Sequence, residues 1–256
     1  MSPDPASAAA APSSAPLTIR YAAASDQGLV RDRNQDVAYA DSGLLAVADG
    51  CGPAGDRFSS TVVDALRQFN ESMAGSAATS TPAPADLLNG MSDAVTAALA
   101  AQESLADSGS TLTAMFWAGS QLAFVHIGDS RAYLLRNDGL FQITHDDSVV
   151  QGMIDDGRLT PEEALSHPQR SLLLKALEVT TRSLPEPLLR DARAGDRYLL
   201  CSDGLTTVVS VAAIRQTLSD ATLSPEDVVD RLIAAANAAG GPDNIACAVA
   251  DVTAAA

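Results

Sequence analysis

The chain has 256 residues, of which 46% are hydrophobic, and its 32 acidic residues outnumber its 16 basic ones to give a net charge of −16. This length and hydrophobic content exclude a wholly disordered chain and suit one large domain or two small ones. A surface this acidic is poorly matched to nucleic acid or to an anionic membrane, so we expect neither as a partner.

The three cysteines indicate a reducing compartment. Cys51, Cys201 and Cys247 have no paired spacing, and two of them lie inside apolar stretches. This pattern is typical of buried, reduced thiols in a cytoplasmic protein rather than of a disulfide framework. No apolar run approaches the roughly 20 residues that span a bilayer. The N-terminus has no basic region followed by an apolar core, so we expect no secretory signal and a cytoplasmic location.

The first half of the chain predicts a tail, three strands and two helices. Residues 1–16 are mostly Ser, Pro and Ala and bury too little to fold, so they are predicted to be a disordered tail. Residues 17–256 are predicted to form the folded domain. Short apolar runs between turn residues predict strands at 17–24, 37–40 and 44–48, the last two forming a hairpin. Apolar residues at helical spacing predict helices at 59–73 and from about 87 to 105, joined by a loop at 74–84.

The second half is richer in strands. Runs at 110–118, 121–127, 131–136 and 140–144 predict an antiparallel meander. Glycine and proline break residues 146–178 into helical pieces, which predicts a mobile flap over a site. A strand at 196–202, a helix that begins at the Ser224 cap and ends near 238, and a strand at 245–250 follow. Antiparallel strands in two groups, with helix pairs between them, predict an α+β fold in which a central β-sandwich is flanked by helix pairs.

Four aspartates stand at the ends of these apolar strands. Three follow an apolar run and one precedes the last strand; they are Asp49, Asp129, Asp203 and Asp243. Bringing four carboxylates together is costly unless a cation lies between them, so we predict that they converge on divalent metal. Oxygen ligands favour Mg²⁺ or Mn²⁺ over zinc, and aspartates that bridge two cations suit hydrolysis of a phosphate ester. For Asp129, a tight hairpin turn is the alternative explanation.

A phosphate ester also needs a cationic partner in the protein. Arg31 lies just before Asp36 and could donate to two phosphate oxygens at once. Spacing alone makes an ordinary surface arginine equally plausible at this position. Arg33, two residues further along an extended segment, should point the same way. The sequence leaves the choice between the two arginines open.

Six short motifs occur in one order along the chain. They are Gly28-Leu29-Val30-Arg31 with Asn34-Gln35-Asp36, Ala48-Asp49-Gly50, Gly109-Ser110-Thr111-Leu112-Thr113, His126-Ile127-Gly128-Asp129-Ser130-Arg131, Cys201-Ser202-Asp203-Gly204-Leu205 and Gly241-Pro242-Asp243-Asn244. Together they resemble the metal-dependent protein phosphatases of type 2C, bacterial serine/threonine branch, over residues 17–253. The resemblance implies two antiparallel sheets packed face to face, with a binuclear Mn²⁺ or Mg²⁺ centre at one end.

The resemblance also implies roles for the residues that match these motifs. Asp49 would bridge both metals, and the carbonyl of Gly50 would bind the second. Asp203 and Asp243 would hold the first metal, while Asp36 would order its waters. The implied reaction is hydrolysis of phosphoserine and phosphothreonine in proteins, by a water activated between the two metals.

The resemblance implies roles at further positions. Arg31 would hold the substrate phosphate. Asp129, with Ser171, would help to hold a third and weaker metal, and Asn244 belongs to the motif of the last strand. Bacterial relatives usually reverse the action of serine/threonine kinases. We therefore expect a monomeric cytoplasmic enzyme whose partners are phosphorylated proteins.

Two departures from the family pattern open an alternative. The family has Glu-Asp where this chain has Gln35-Asp36, so one negative charge near the second metal is missing. The loop after Asp49-Gly50, residues 51–55, is short and lacks the histidine that is usual there. The first alternative is therefore a catalytically weak or inactive phosphatase-like domain that binds phosphoproteins.

A second alternative is a cysteine-dependent phosphatase. Cys51 and Arg57 are separated by five residues between a strand and a helix, which is the spacing of enzymes in which a thiolate attacks phosphorus. Asp56 argues against it, because it would place a carboxylate inside an anion-binding loop. This alternative also leaves the other Asp-Gly motifs unexplained.

Overall fold

A computed structural model describes residues 17–75, 84–118 and 121–255 of the chain. The predicted tail at 1–16 lies outside these residues, as do residues 76–83 of the predicted loop at 74–84. The strands are β1 (Leu17–Asp26), β2 (Asp36–Ala40), β3 (Leu44–Cys51), β4 (Gly109–Ser110), β5 (Leu112–Ala118), β6 (Gln121–Ile127), β7 (Arg131–Arg136), β8 (Gly139–Gln142), β9 (Leu188–Asp191), β10 (Arg197–Cys201) and β11 (Ile245–Ala254). The helices are α1 (Gly55–Gly75), α2 (Pro84–Ala100), α3 (Val149–Asp155), α4 (Pro161–Ala164), α5 (Asp203–Thr206), α6 (Val211–Leu218) and α7 (Pro225–Ala238).

Within these ranges the strands form two antiparallel sheets. The first has the strand order β1-β11-β10-β7-β8, and the second has the order β2-β3-β5-β6-β9, with β4 paired to the end of β3. Helices α1 and α2 pack on the outer face of the second sheet, and α6 and α7 pack on the outer face of the first. The two inner faces pack against each other. The predicted α+β sandwich flanked by helix pairs is therefore confirmed.

Alternation along the central strands explains why the core has layers. In β10, Tyr198 and Leu200 pack against the other sheet, whereas Leu199 and Cys201 pack towards the helices. Side chains alternate between the two faces of a strand, so a strand that is apolar throughout is buried on both faces. The uninterrupted apolar runs in the sequence are the central strands of the sandwich.

The predicted meander over residues 110–144 is wrong in one respect. Strand β6 pairs with β5 and β9 in the second sheet, whereas β7 pairs with β8 and β10 in the first. The chain therefore crosses from one sheet to the other in the turn at 128–130. Two successive hairpins and a continuous meander have the same local sequence pattern, so the pattern alone could not separate them. The crossing places Asp129 between the sheets.

Other boundaries differ more modestly. Helix α1 begins at Gly55 rather than at Ser59, and β11 continues to Ala254 rather than ending near 250. Four short elements were not predicted: β4, β9, α5 and α6. The predicted start of α7 is confirmed, because Ser224 and Asp227 form a reciprocal capping box. No helix in the described ranges has both the length and the apolar character needed to cross a membrane.

Candidate metal centre

Strand pairing brings the predicted acidic residues to one end of the sandwich. Asp36 begins β2 and stands directly opposite Asp49 of β3 in the antiparallel register. In the first sheet β10 and β11 are antiparallel neighbours, so Asp203 just after β10 and Asp243 just before β11 lie at the same edge. The register of four strands, rather than any one local motif, gathers these side chains.

The gathered residues line a single cleft of about 220 Å³. It contains every predicted site residue except Asp36, which is buried opposite Asp49; they are Arg31, Gln35, Asp49, Gly50, Asp129, Ser171, Asp203, Asp243 and Asn244. Cys51, Gly52, Thr111 and Leu173 complete its lining. The structure therefore brings the predicted set together, while the role of each residue stays a prediction.

Burial makes the negative charges of this cluster costly. It raises the pKa of Asp36 to about 7 and that of Asp129 to about 7. The pKa of Asp49 lies well above its usual value because of burial and, secondly, the charge of Asp36. Burial also raises the pKa of Asp203. Carboxylates so closely grouped repel one another and lose hydration, and a bound cation would offset both costs.

Asp36 holds an unused hydrogen-bond acceptor in the protein interior. The residue is only 5% exposed, and its Oδ2 atom has no hydrogen-bond partner among the described residues. A buried polar atom without a partner costs free energy, so such an atom calls for a bound water or ion. Its position beside Asp49 fits the implied role of ordering water at a metal.

The donor set fits hard divalent cations that are only partly ligated by protein. In the described part of the chain, no three His, Cys, Asp or Glu side chains are arranged as a ready ligand set for one ion. Mg²⁺ typically takes one or two carboxylates and keeps several waters, so such a set is not required. The cleft offers separate aspartates together with backbone and amide oxygens. We conclude that the residues fit Mg²⁺ or Mn²⁺ shared between neighbouring aspartates.

The structure distinguishes the two candidate arginines. Arg31 reaches into the cleft, where its Nη2 atom donates to Oδ2 of Asp243 at 2.7 Å. Its side chain is still 55% exposed, so it is accessible to a ligand. Arg33 is exposed and is not among the residues that line the cleft, and its backbone carbonyl accepts a hydrogen bond from Asn244 at 2.8 Å. Of the two, only Arg31 is placed to meet a phosphate in the cleft.

A set of hydroxyl groups behind Asp49 was not predicted to have a role. The backbone N–H of Asp49 donates to Oγ1 of Thr111 at 3.0 Å, and the Ser110 hydroxyl donates to the Asp49 carbonyl at 3.0 Å. Thr111 in turn shares a hydrogen bond of 2.8 Å with the buried hydroxyl of Ser130. These bonds fix the backbone of Asp49 between two strands. The hydroxyl-rich motif at 109–113 is the sequence signal that could have indicated this supporting role.

The predicted flap borders the cleft. A second cavity of about 420 Å³ shares Asp129 and Asp203 with it and is lined on one side by residues of α3 and α4. Arg131 holds the base of this segment, because its guanidinium forms an ion pair of 2.7 Å with the carboxylate of Asp146. The flap at 146–178 contains short helices, as predicted, and its mobility stays a prediction.

Cys51 and Arg57 do not form one anion-binding loop. Cys51 ends β3 and lines the acidic cleft, whereas Arg57 lies in the first turns of α1 and lines a different cavity. The Arg57 guanidinium donates to the Ser104 hydroxyl at 3.0 Å. Burial raises the pKa of the Cys51 thiol, which disfavours the thiolate. The geometry therefore argues against the cysteine-dependent mechanism.

Comparison with known proteins gives a consistent family. A model of the family described as "Protein phosphatase 2C" matches residues 23–249. The chain is 49% identical over 249 residues to "Serine/threonine protein phosphatase PstP" of Mycobacterium tuberculosis, an alignment that covers 92% of this chain and 45% of that protein. The chain thus spans less than half the length of this curated relative.

Solved structures are similar over almost their whole length. One is the serine/threonine phosphatase PstP/Ppp of Mycobacterium tuberculosis, with a TM-score of 0.81, 46% identity, and coverage of 91% of this chain and 98% of the other. Another is the catalytic domain of PstP in complex with two manganese ions, with a TM-score of 0.81, 43% identity, and coverage of 93% and 99%.

Proposed function

The chain belongs to the protein phosphatase 2C family, and on that premise we propose that it hydrolyses phosphoserine and phosphothreonine in proteins with Mn²⁺ or Mg²⁺ as cofactor. The single observation that carries the proposal is the cleft itself. It joins an accessible Arg31 with Asp49, Asp203 and Asp243, which lie in or next to three different strands. A phosphate-binding cation and a cluster of metal-binding carboxylates in one cleft suit hydrolysis of a phosphate monoester.

Each acidic residue has a distinct part in this proposal. Asp49 and the Gly50 carbonyl would hold cations on the side of the second sheet, and Asp203 and Asp243 on the side of the first. Divalent cations bound there would supply Lewis acidity, which neutralises phosphate charge and lowers the pKa of a bound water. Asp36 would orient water through its free Oδ2 atom. Asp129 and Ser171 would assist a third, weaker cation.

The protein groups around the phosphate bind and orient it. The guanidinium of Arg31 presents several N–H donors in one plane, which match two phosphate oxygens. Asp243 accepts from Arg31 and, through Oδ1, from the backbone N–H of Asn244 at 2.9 Å. Asp243 would therefore aim the arginine at the substrate. The flap at 146–178 would cover one side of the bound phosphopeptide.

The proposed partners follow from the same chemistry. The names of the relatives support phosphorylated proteins as substrates. We propose that these are products of a serine/threonine kinase, and that the enzyme acts in the cytoplasm as a monomer. The net charge of −16 makes nucleic acids and anionic membranes poor partners.

The deciding experiment is release of phosphate from a phosphothreonine peptide by the full chain. We expect release with added Mn²⁺, and loss of release when a chelator is present. Binding of the phosphopeptide without release, at any Mn²⁺ concentration, would favour the inactive phosphoprotein-binding domain instead.

Arg31→Ala is expected to raise KM for a phosphopeptide roughly tenfold to a hundredfold while changing kcat less. The reason is that the guanidinium binds the phosphate before reaction, and a hydrogen bond to a charged group contributes about 1.5–3 kcal/mol. Steady-state kinetics at saturating Mn²⁺ measure KM and kcat separately. Arg33→Ala is the matched control and should leave KM unchanged. The reverse pattern would transfer the phosphate-binding role to Arg33.

Cys51→Ser is expected to retain most of the Mn²⁺-dependent activity, within about twofold of the wild type. A serine hydroxyl is a far poorer nucleophile than a thiolate, so a cysteine-dependent enzyme would lose nearly all activity. Arg57→Ala serves as the companion variant, since both residues are essential in that mechanism. Inactivation by both substitutions would re-establish the cysteine mechanism.

A further inference from the structure

Gln35 connects four segments that surround the cleft. Its backbone N–H donates to Oδ1 of Asn244 at 2.9 Å. Its carbonyl accepts from the backbone N–H of Gly50 at 3.0 Å and from the Ser59 hydroxyl at 2.6 Å. Its side-chain Nε2 atom donates to the carbonyl of Gly52 at 2.9 Å. Residue 35 therefore joins the end of β3, the loop after it, helix α1 and the segment just before β11.

The loop at 50–55 is tightly packed against Gln35. A Cβ atom added at Gly50 would overlap the Gly55 carbonyl oxygen and would approach the Gln35 carbonyl oxygen to 2.8 Å. A Cβ atom added at Gly55 would lie 2.5 Å from Nε2 of Gln35. Gly50, Gly55 and Gln35 therefore lie so close together that no side-chain carbon would fit at either glycine. A change in the Gln35 side chain would act first on Gly52 and Gly55, which lie in the same tightly packed loop as Gly50.

The chemistry of this contact depends on the amide. The Gly52 carbonyl can only accept a hydrogen bond, and glutamine supplies the donor. A glutamate at this position has the same length, but its carboxylate has no donor and would direct negative charge at the carbonyl oxygen. The glutamate that the family has at this position therefore cannot make the hydrogen bond that Gln35 donates to the Gly52 carbonyl.

We propose that Gln35 is a positioning residue that fixes the loop at 50–55 through its amide, and so sets the Gly50 carbonyl and Asp49 in the geometry needed for metal binding. The inference rests on the proposed function, because it concerns the same cleft. It differs from the expectation drawn from the family pattern, in which Gln35 is a lost acidic group. That expectation predicts that Gln35→Glu strengthens Mn²⁺ binding. The hydrogen bond from Gln35 to Gly52 predicts instead that the substitution weakens Mn²⁺ binding.

The test measures Mn²⁺ affinity without substrate, using the electron paramagnetic resonance signal of free aqueous Mn²⁺ during titration of the full chain. We expect Gln35→Glu to weaken the tightest Mn²⁺ binding about tenfold or more. Gln35→Met, which keeps the length but has no donor, should weaken it by a smaller factor. Gln68→Glu adds the same charge on the exposed face of α1 and should bind as the wild type does.

Kinetics at saturating Mn²⁺ supply a second readout. We expect kcat of Gln35→Glu to fall while KM for the phosphopeptide stays near the wild-type value, because Arg31 is untouched. Tighter Mn²⁺ binding by Gln35→Glu, or unchanged affinity with only a lower melting temperature, would overturn the positioning role. Mn²⁺ binding by the wild type without phosphate release would contradict the proposed hydrolysis, and the affinity comparison would still test Gln35.

Discussion

Asp203→Asn is expected to lower Mn²⁺-dependent phosphate release by roughly 10²–10³-fold or more while leaving the protein folded. Asparagine has the same shape, but it removes one of the few charged oxygen donors in the cleft. Metal-assisted charge stabilisation is worth several kcal/mol, and each 1.36 kcal/mol corresponds to a tenfold change in rate. The measurement is the initial rate of phosphate release from a phosphothreonine peptide across a Mn²⁺ titration.

The stability of the same variant separates a metal ligand from a structural residue. Because burial and neighbouring carboxylates disfavour the Asp203 charge, Asp203→Asn should unfold at the same temperature as the wild type or higher when a chelator is present. Added Mn²⁺ should stabilise the wild type more than the variant. Asp138→Asn, in the exposed turn between β7 and β8, is the matched control and should behave as the wild type. Wild-type rates for Asp203→Asn would contradict the proposed metal centre.

The acidic cleft could be predicted because its residues have strong local signals. An apolar run that stops at Asp-Gly indicates both a buried strand and a carboxylate at its end, as at Asp49 and Asp203. Electrostatics then predicts that these carboxylates lie close together, because a shared cation offsets the cost of grouping them. The hairpin of β2 and β3, which sets Asp36 opposite Asp49, is a local pairing that sequence can predict.

The division of strands between the two sheets could not be predicted, because it depends on contacts between distant segments. Strand β11 lies between β1 and β10 in the sheet but comes last in the chain. The sequence could not distinguish Arg31 from Arg33 for the same reason. It depends on the position of Asp243, which lies 212 residues beyond Arg31 in the chain.

The role of Gln35 could not be predicted from the sequence for a different reason. The sequence shows only that an acid is replaced by its amide, and family comparison treats that as a lost charge. Whether the amide gains a contact depends on which backbone atom faces it. Here that atom is the carbonyl of Gly52. The same substitution therefore has opposite expected consequences before and after the loop geometry is known.

Gly204→Ala is expected to destabilise the protein strongly although it adds a single methyl group. A Cβ atom at this position would overlap the backbone carbonyl oxygen of Asn244 and would contact Cβ of Asp243 at 3.5 Å. The carbonyl belongs to the chain entering β11 and cannot rotate away as a flexible side chain could. Residues 203–204 and 243–244 would have to separate, and they carry two of the proposed metal ligands. Overpacking of this kind costs about 1–3 kcal/mol.

The consequence should appear both in stability and in metal binding. For a chain of this size each kcal/mol lowers the melting temperature by about 2–4 °C, so we expect Gly204→Ala to melt roughly 2–12 °C lower in the presence of a chelator. Its Mn²⁺ affinity should also fall, because Asp203 and Asp243 move apart. Gly152→Ala in α3 is the matched control: its added methyl would meet only a side-chain atom of Leu174 at 3.7 Å, and alanine favours a helix by about 0.5–1 kcal/mol. If Gly204→Ala melts no lower than the wild type, close approach at Gly204 does not hold the two ligands in place.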